Sequence, residues 1–286
     1  MTTRKPVIAL MYDFDKTLCT KDMQEYAFIP KLGMTPKQFW AESNNMAISE
    51  GMDRILAYMY IMIEKANAAK QSVRREDFVK LGEAIEFFPG VKEWFGRIDE
   101  YGKLAGAKIE HYIISSGLKE IIEGSAIRKH FEKIYACEFH YDASGVADWP
   151  RIAVNYTAKT QFLFRINKCI PDISDDDALN EYIPEEKRRV PFRNMIYIGD
   201  GLTDVPCMKL VKVNGGQSIA VYPRQRKNKV VELLRNNRVN YLALADYSEG
   251  SELDGLVKQI IDQMVATDTL FRISQRQYNR LPDRRK

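Results

Sequence analysis

Short apolar runs recur along the chain, and each is separated from the next by sequence that favours helix. The first run, Val7 to Tyr12, has no charged residue and stops at Asp13. Runs of this kind are typical of strands buried on both faces, as in a parallel sheet. Because strands that alternate with helices build βαβ units, the pattern predicts an α/β fold with a doubly wound, Rossmann-like parallel sheet. The later runs are residues 111–114, 195–198, 218–222 and 239–244.

The strand pattern disappears between residues 21 and 87, where helix signals replace it. Thr35-Pro36 is an N-cap residue followed by proline at the first helical position. Residues 52–70 contain no glycine or proline, and Ser72 is expected to cap a further helix through Ala84. We therefore predict a small helical cap, residues 21–87, inserted into a discontinuous α/β core formed by residues 1–20 and 88–286.

Composition narrows the class of protein. Hydrophobic residues make up 45% of the chain and charged residues 29%, which is typical of a globular protein. The four cysteines form no C-x-x-C pair, so neither a zinc site nor a disulfide framework is predicted. No apolar run approaches the roughly 18 residues that a membrane span needs, and the first residues lack a signal-peptide core. We expect a cytoplasmic protein with no membrane partner; the pattern predicts no oligomeric state.

The net charge of +4 is concentrated at one end of the sequence. Residues 272–286 hold six basic side chains and one acid, so the rest of the chain is close to neutral. A basic tail can bind acidic partners, but a solvated terminus is the commoner outcome. Nucleic acid is therefore not the expected partner.

Two pairs of acids follow two of the predicted strands. Asp13 and Asp15 come directly after the first strand, at the edge of the sheet where open α/β proteins bind ligands. Asp200 and Asp204 follow the strand at 195–198, with a glycine on each side of Asp200. Adjacent carboxylates repel each other unless a cation compensates, and a hard divalent ion such as Mg²⁺ prefers such oxygen ligands. Two such pairs are difficult to explain by turn formation alone.

A phosphate group would find donors after the predicted strand at 111–114. Ser115 ends this strand, and Gly117 leads into a predicted helix, Leu118 to Ile127, whose free N–H groups favour an anion. We favour Ser115 as the phosphate contact because it ends the strand. Ser116 has an alternative role as the N-cap of the helix.

A lysine could offset the acids and a phosphoryl group. Lys159 lies near the start of the predicted helix Ala158 to Lys168, where a cation opposes the helix dipole and therefore needs a partner. Lys168, at the other end, suits the dipole and is predicted at the surface. Lys159 is thus the favoured site lysine, with Lys168 as the alternative.

Together these segments resemble the haloacid dehalogenase superfamily, specifically its phosphoserine-phosphatase-like branch, which carries a helical cap inserted after the first motif. The resemblance extends from about Val7 to Asp246, with the motifs in the family's order. The matching motifs are D-x-D-x-T at Asp13 to Thr17, the strand-terminal serine at Ser115, the lysine at Lys159 and G-D-x-x-x-D at Gly199 to Asp204.

The resemblance implies a role for each of these residues. Asp13 would attack phosphorus and become an aspartyl phosphate, while Asp15 would protonate the leaving alcohol and then activate water. Mg²⁺ would be held by Asp13, the backbone carbonyl of Asp15 and Asp200, with Asp204 supporting them. Phosphate contacts would come from Thr17, Ser115, Ser116, Gly117 and Lys159.

The sequence thus predicts a magnesium-dependent phosphohydrolase that acts on a small phosphomonoester. A phosphotransferase or phosphomutase would use the same motifs, so this alternative stays open. A catalytically silent protein that binds through the tail is a third hypothesis, which the clustered acids disfavour. Asp22 and Glu25 are candidates for the acid that reads an amino-acid substrate in phosphoserine phosphatases.

Overall fold

The computed structural model describes residues 5–224 and 227–281. In this part of the chain, seven strands form one sheet in the order β4-β3-β2-β1-β5-β6-β7. All neighbouring pairs are parallel except β3 and β4, which are antiparallel. The predicted α/β fold with a doubly wound parallel sheet is therefore confirmed. The strands are β1 Val7–Tyr12, β2 Lys108–Leu118, β3 Phe131–Tyr141, β4 Ala147–Ile152, β5 Met195–Gly199, β6 Gln217–Tyr222 and β7 Tyr241–Leu244.

Helices flank the sheet. In the sequence, several consecutive helices separate the first strand, β1, from the second, β2. Strand β1 lies at the centre and is buried along its whole length, which explains its uninterrupted apolar sequence. The α-helices are α1 Phe28–Lys31, α2 Pro36–Ser49, α3 Arg54–Ala68, α4 Arg75–Leu81, α5 Val91–Ala105, α6 Lys119–Glu123, α7 Lys159–Lys168, α8 Asp176–Asn180, α9 Val205–Val213, α10 Lys227–Arg235 and α11 Glu252–Tyr278. Short 3-10 helices occupy Met23–Glu25, Gly82–Ala84, Arg128–His130, Glu185–Lys187, Phe192–Asn194 and Leu202–Asp204.

The segment that contains α1 to α4 leaves the sheet and returns to it through paired backbone. Thr20 N donates to Glu86 O at 3.1 Å, and Phe88 N donates to Leu18 O at 3.0 Å. Thr35 caps α2 in a capping box with Gln38, as the sequence predicts.

The predicted cap at Ser72 is wrong. Helix α4 begins at Arg75 with Arg74 as its N-cap. The Ser72 hydroxyl instead donates to the Asp77 carboxylate, at 2.5 Å. The polar side chain is therefore used within the turn, a common alternative for serine outside helices.

The predicted helix from Leu118 to Ile127 is present but shorter than expected. Strand β2 does not stop at Ile114 but continues through Leu118, and it pairs irregularly with β3 beyond Ile114. Helix α6 then covers only five residues, and Leu118 precedes it without a side-chain cap. Ser116 is consequently a strand residue rather than an N-cap. The long helix on whose N-terminus the predicted anion site depended does not form at this position.

The hairpin of β3 and β4 was not predicted from the sequence. The two strands are joined by a turn in which Asp142 Oδ1 accepts from Ser144 N at 2.8 Å and from Val146 N at 2.9 Å. Gly145 has φ 75°, a left-handed conformation that glycine adopts without steric cost. The sequence D-A-S-G at 142–145 is therefore the turn signal that this hairpin leaves in the chain.

The basic end of the chain is partly helical. Residues 272–278 form the last two turns of α11, while residues 282–286 of the predicted tail lie outside the described residues. Among the helices of the described ranges, we find none whose length and apolar character would let it cross a membrane.

Candidate active site

The two acid pairs meet because their strands are neighbours. Strand β1 pairs with β5, and Asp13 N donates to Ile198 O at 2.9 Å just beyond this pairing. Strands β1 and β5 therefore end at the same edge of the sheet. Asp13, Asp200 and Asp204 each contribute a carboxylate oxygen to a group in which these atoms lie within 4.8 Å of one another.

Lys159 lies between two of these acids. Its Nζ donates to Asp13 Oδ1 at 2.9 Å and to Asp204 Oδ1 at 2.8 Å. The lysine side chain is only 1% exposed. Lys168, at the other end of α7, donates instead to the backbone carbonyls of Leu179 and Glu181. Of the two candidate lysines, only Lys159 is brought to the acids.

Asp204 is fixed by two further neighbours that the sequence reading did not single out. Tyr197 OH, on β5, donates to Asp204 Oδ1 at 2.8 Å. A Cβ atom on Gly199 would lie 2.6 Å from the Asp204 carboxylate, so glycine is required for this close approach. The alternation of side chains along a strand could have placed Tyr197 on the same side as Gly199. Its contact with Asp204 depends on the turn between them.

Asp15 is held apart from the three-acid group. Its Oδ1 accepts from Met23 N at 2.7 Å, and the Cys19 thiol lies 3.7 Å from the same oxygen. Lys16 adopts a left-handed backbone with φ 58°, and three successive amides after it donate to Phe14 O. This tight turn directs the Asp15 side chain toward Gly117, where an added Cβ would lie 2.8 Å from Asp15 Oδ2.

Burial and mutual repulsion change the acidity of the site. Burial raises the pKa of Asp13 to about 6; Asp204 adds to the rise and Lys159 opposes it. Burial, together with Asp13 and Asp204, raises the pKa of Asp200 to about 8. The pKa of Asp15 is well above its usual value because of burial and the charges of Asp22 and Asp13. A carboxyl group whose pKa is raised in this way keeps its proton to higher pH than a solvated one and can donate it.

Lys159 stays charged in this environment. Burial alone would lower the pKa of its ammonium group, but Asp13 and Asp204 outweigh this effect and raise the pKa above its usual value. When Asp13, Asp200 and Asp204 are all ionised, three negative charges face this single ammonium group. The excess of two negative charges, all on hard oxygen donors, fits a divalent cation.

The predicted phosphate contacts lie at different depths. Ser115 is fully buried, and its Oγ accepts from Gly117 N at 3.0 Å. Ser116 lines the cavity beside the acids, and its buried Oγ has no hydrogen-bond partner. Thr17 Oγ1 is likewise buried without a partner. Such orphaned hydroxyls are costly unless a ligand or water satisfies them.

A cavity of about 870 Å³ opens in front of the acids. Helices α2 and α3 form one of its walls. The aromatic and polar side chains of this wall were not predicted to belong to the site. The acids and Lys159 form another part of its lining. The residues of the helical wall are Trp40, Ser43, Asn44, Arg54, Ile55 and Tyr58.

The two candidate substrate-reading acids have partners of their own. Asp22 lines the cavity and forms an ion pair with Lys16, at 2.5 Å. Glu25 accepts a hydrogen bond from Trp40 Nε1 at 3.0 Å. Since Lys16 already balances the charge of Asp22, this acid does not present an uncompensated negative charge to a substrate ammonium group.

The fold and the site together define an α/β enzyme with an acidic centre at the carboxyl edge of its parallel sheet. The chain belongs to the haloacid dehalogenase-like hydrolases, whose family model matches residues 10–209. The resemblance drawn from the sequence motifs is thereby confirmed.

Individual proteins are also similar to this chain, one in sequence and others in fold. An uncharacterized protein of Borreliella burgdorferi is 29% identical over 280 residues, which cover 88% of this chain and 96% of that protein. A HAD family hydrolase from Salmonella enterica serovar Typhi has a TM-score of 0.57 at 15% identity, over 90% of this chain and 72% of that one. A phosphoserine phosphatase, solved as an analogue of its phospho-aspartyl intermediate, has a TM-score of 0.54 at 15% identity, over 89% and 99%. Both structural similarities show a shared fold.

Proposed function

We propose that this protein is a magnesium-dependent phosphohydrolase that hydrolyses a small phosphomonoester through an aspartyl phosphate on Asp13. The observation that carries this proposal is the pair of hydrogen bonds by which the buried Lys159 joins Asp13 to Asp204, at one wall of a cavity. Membership of the hydrolase family and the phosphatases among its structural neighbours support the same reaction class.

Asp13, Asp200 and the backbone carbonyl of Asp15 would hold Mg²⁺, with Asp204 supporting them. The ion would supply charge stabilisation for the transferring phosphoryl group. Lys159 would hold the Asp13 carboxylate in place and stabilise the same charge. Ser116, which lines the cavity and whose buried hydroxyl has no hydrogen-bond partner, joins Ser115, Thr17 and Gly117 as a proposed phosphate contact.

The two chemical steps use two carboxyl groups. A carboxylate oxygen of Asp13 attacks phosphorus, the ester P–O bond breaks, and Asp15 gives its proton to the leaving alcohol. Asp15 then takes a proton from water as the water oxygen attacks the aspartyl phosphate. The bond between phosphorus and Asp13 breaks, inorganic phosphate leaves, and both carboxyl groups return to their starting states. The raised pKa of Asp15 supports its role as the acid of the first step.

We further propose that residues 21–87 act as a cap over the substrate. Helices α2 and α3 line the same cavity as the acids, so this segment would exclude water and contact the alcohol. The phosphoserine phosphatase neighbour makes phosphoserine a candidate substrate, but the Lys16–Asp22 ion pair leaves no free acid there for its ammonium group. We therefore propose the class of small phosphomonoesters and no single ester.

A screen of phosphomonoesters tests this proposal. We expect phosphate release from at least one ester in Mg²⁺ and its loss after chelation, with a phosphodiester as the negative control. Alcohols added as acceptors separate hydrolysis from transfer, because a transferase would form a new ester in place of phosphate. The absence of phosphate release from every ester in Mg²⁺ would contradict a hydrolase.

The acidic cluster also predicts how pH and Mg²⁺ affect stability. The pKa of Asp200 is about 8 in the folded protein, far above that of an unfolded aspartate. The folded state therefore binds more protons than the unfolded state between these values, so the metal-free protein loses stability as pH rises toward 8. Mg²⁺ replaces those protons, and we expect it to raise Tm more at pH 8 than at pH 6.

Thermal denaturation in EDTA and in Mg²⁺ at the two pH values measures this effect. The Asp200→Asn variant should lose the part of the pH dependence that Asp200 contributes, because its side chain does not titrate. Asp13 and Asp15, whose pKa values are also raised, account for the remainder. An equal rise of Tm at both pH values, or no rise at either, would show that the cluster does not bind Mg²⁺ as proposed.

A further inference from the structure

One side chain connects the helical wall of the cavity to the helix that carries Lys159. Asn155 Nδ2 donates to Asp53 Oδ2 at 3.1 Å. Asp53 is the N-cap of α3, where its Oδ1 accepts from Ile55 N at 2.8 Å and from Leu56 N at 3.2 Å. The acceptor of this hydrogen bond is therefore the residue that caps α3, and it directly precedes Arg54 and Ile55 of the cavity wall.

The donor of this hydrogen bond, Asn155, lies just before α7 and contacts its first residues. Asn155 Oδ1 accepts from Ala158 N and from Thr157 Oγ1, both at 2.9 Å, and Asn155 O accepts from Lys159 N at 3.0 Å. Asn155 thus satisfies amides that would otherwise be orphaned at the N-terminus of the helix. Lys159 is the first residue of α7, so the position of its backbone depends directly on Asn155.

We propose that Asn155 is a positioning residue, and that its bond to Asp53 links the position of α3, in the helical wall of the cavity, to the placement of Lys159. This inference rests on the proposed function, because it assigns Lys159 to the reaction. We call the Asp53–Asn155 hydrogen bond the latch. Asp53 is exposed and Asn155 half-buried, so water competes for both groups and the latch is weak enough to open and re-form. Tyr58 OH, which donates to Ser116 O at 2.7 Å, is a second contact from α3 to the core.

The two residues allow an exchange experiment, because the side-chain oxygens of asparagine and aspartate accept hydrogen bonds from backbone N–H groups about equally well at helix starts. Asp53→Asn keeps the oxygen that caps α3 but places two amide donors against each other. Asn155→Asp keeps the oxygen that starts α7 but places two carboxylates against each other. In the double variant the donor and acceptor are exchanged, so the latch can form again.

We expect each single variant to lower kcat/KM by about 2- to 10-fold, the value of one hydrogen bond, and the double variant to recover most of the loss. A merely structural role for either cap would give losses that add in the double variant. The matched control is Asp175→Asn, which makes the same change at the N-cap of α8, where Oδ1 accepts from Ala178 N at 3.0 Å. This control should keep the wild-type kcat/KM.

Amide hydrogen exchange tests the latch without any substrate. We expect Asp53→Asn to speed exchange in the first turn of α7 as well as α3, and the double variant to restore slow exchange in both. If exchange in α7 does not change in Asp53→Asn, or if the double variant recovers neither exchange nor kcat/KM, the latch does not position Lys159. Since exchange needs no turnover, this outcome is distinct from a failure to find phosphatase activity.

Discussion

Replacing Asp13 by asparagine is expected to reduce phosphate release by about 10³-fold or more. The amide keeps the size of the side chain, but it is a poor nucleophile and cannot form an aspartyl phosphate. Asp13 is only 5% exposed, so water has little room to take over the attack in a displaced position. The fold should survive, because the change also removes one of the mutually repelling charges of the cluster.

Two measurements on Asp13→Asn separate the loss of the nucleophile from a general defect. Turnover is compared with that of Asp172→Asn, a change at an exposed acid outside the three-acid group. Trapping by beryllium fluoride, which imitates a phosphoryl group on a carboxylate, should occur in the control and be lost in Asp13→Asn. Turnover at the wild-type rate in Asp13→Asn would refute the aspartyl phosphate mechanism.

Replacing Lys159 by methionine is expected to damage both stability and catalysis. The ammonium group is the shared donor to Asp13 and Asp204, and its removal leaves two buried carboxylates without their cation. Breaking a buried ion pair in this way costs about 3–5 kcal/mol of unfolding free energy. Turnover should fall by about 10²- to 10³-fold, because a preorganised positive charge no longer stabilises the phosphoryl group.

The stability loss should depend on pH and on metal. Without Lys159 the buried Asp13 loses the cation that opposes the rise of its pKa, so it keeps its proton to higher pH. The folded state of the variant therefore weakens as pH rises and this proton is lost. Mg²⁺ should restore part of the stability but little of the turnover. Chemical denaturation in EDTA and in Mg²⁺ gives the first quantity, and phosphate release gives the second.

Lys168→Met is the matched control for this change. It removes a lysine from the opposite end of the same helix, where Nζ contacts the carbonyls of Leu179 and Glu181. The expected cost is about 1 kcal/mol, with turnover unchanged. If Lys168→Met lowered turnover as much as Lys159→Met, the proposed role of Lys159 would be wrong.

The elements that were predicted well are those in which burial acts on a short stretch of chain. The run from Val7 to Tyr12 is predicted to the residue, because a strand at the centre of the sheet excludes polar side chains on both faces. Strands β5 and β6 are predicted to within one residue for the same reason. The cap at Thr35 is equally local, since it depends on residues three positions apart.

The elements that were missed are those whose partners lie elsewhere in the fold. Strand β3 carries Glu132 and Lys133 among its apolar residues, so it lacks the continuous apolar run of a central strand. Its pairing with β4 follows from the turn at Asp142, which gives a weak signal. Strand β2 continues past Ser115 because β3 is available to pair with it as far as Leu118. The propensity of Ser116 for a helix N-cap was overridden by this pairing.

The sequence by itself determined the class of fold and the positions of the acids, because a buried strand and the residue that ends it are adjacent in the chain. Only the tertiary structure decided which groups share a site. Lys159 and Asp13 are separated by 146 positions, and their hydrogen bond depends on how α7 packs against β2 and α9. The same packing leaves Lys168 at the far end of the helix and brings Asn155 to Asp53. Electrostatic contacts of this kind act across space, so a local pattern can favour Lys159 as the site lysine but does not say which side chains its ammonium group contacts.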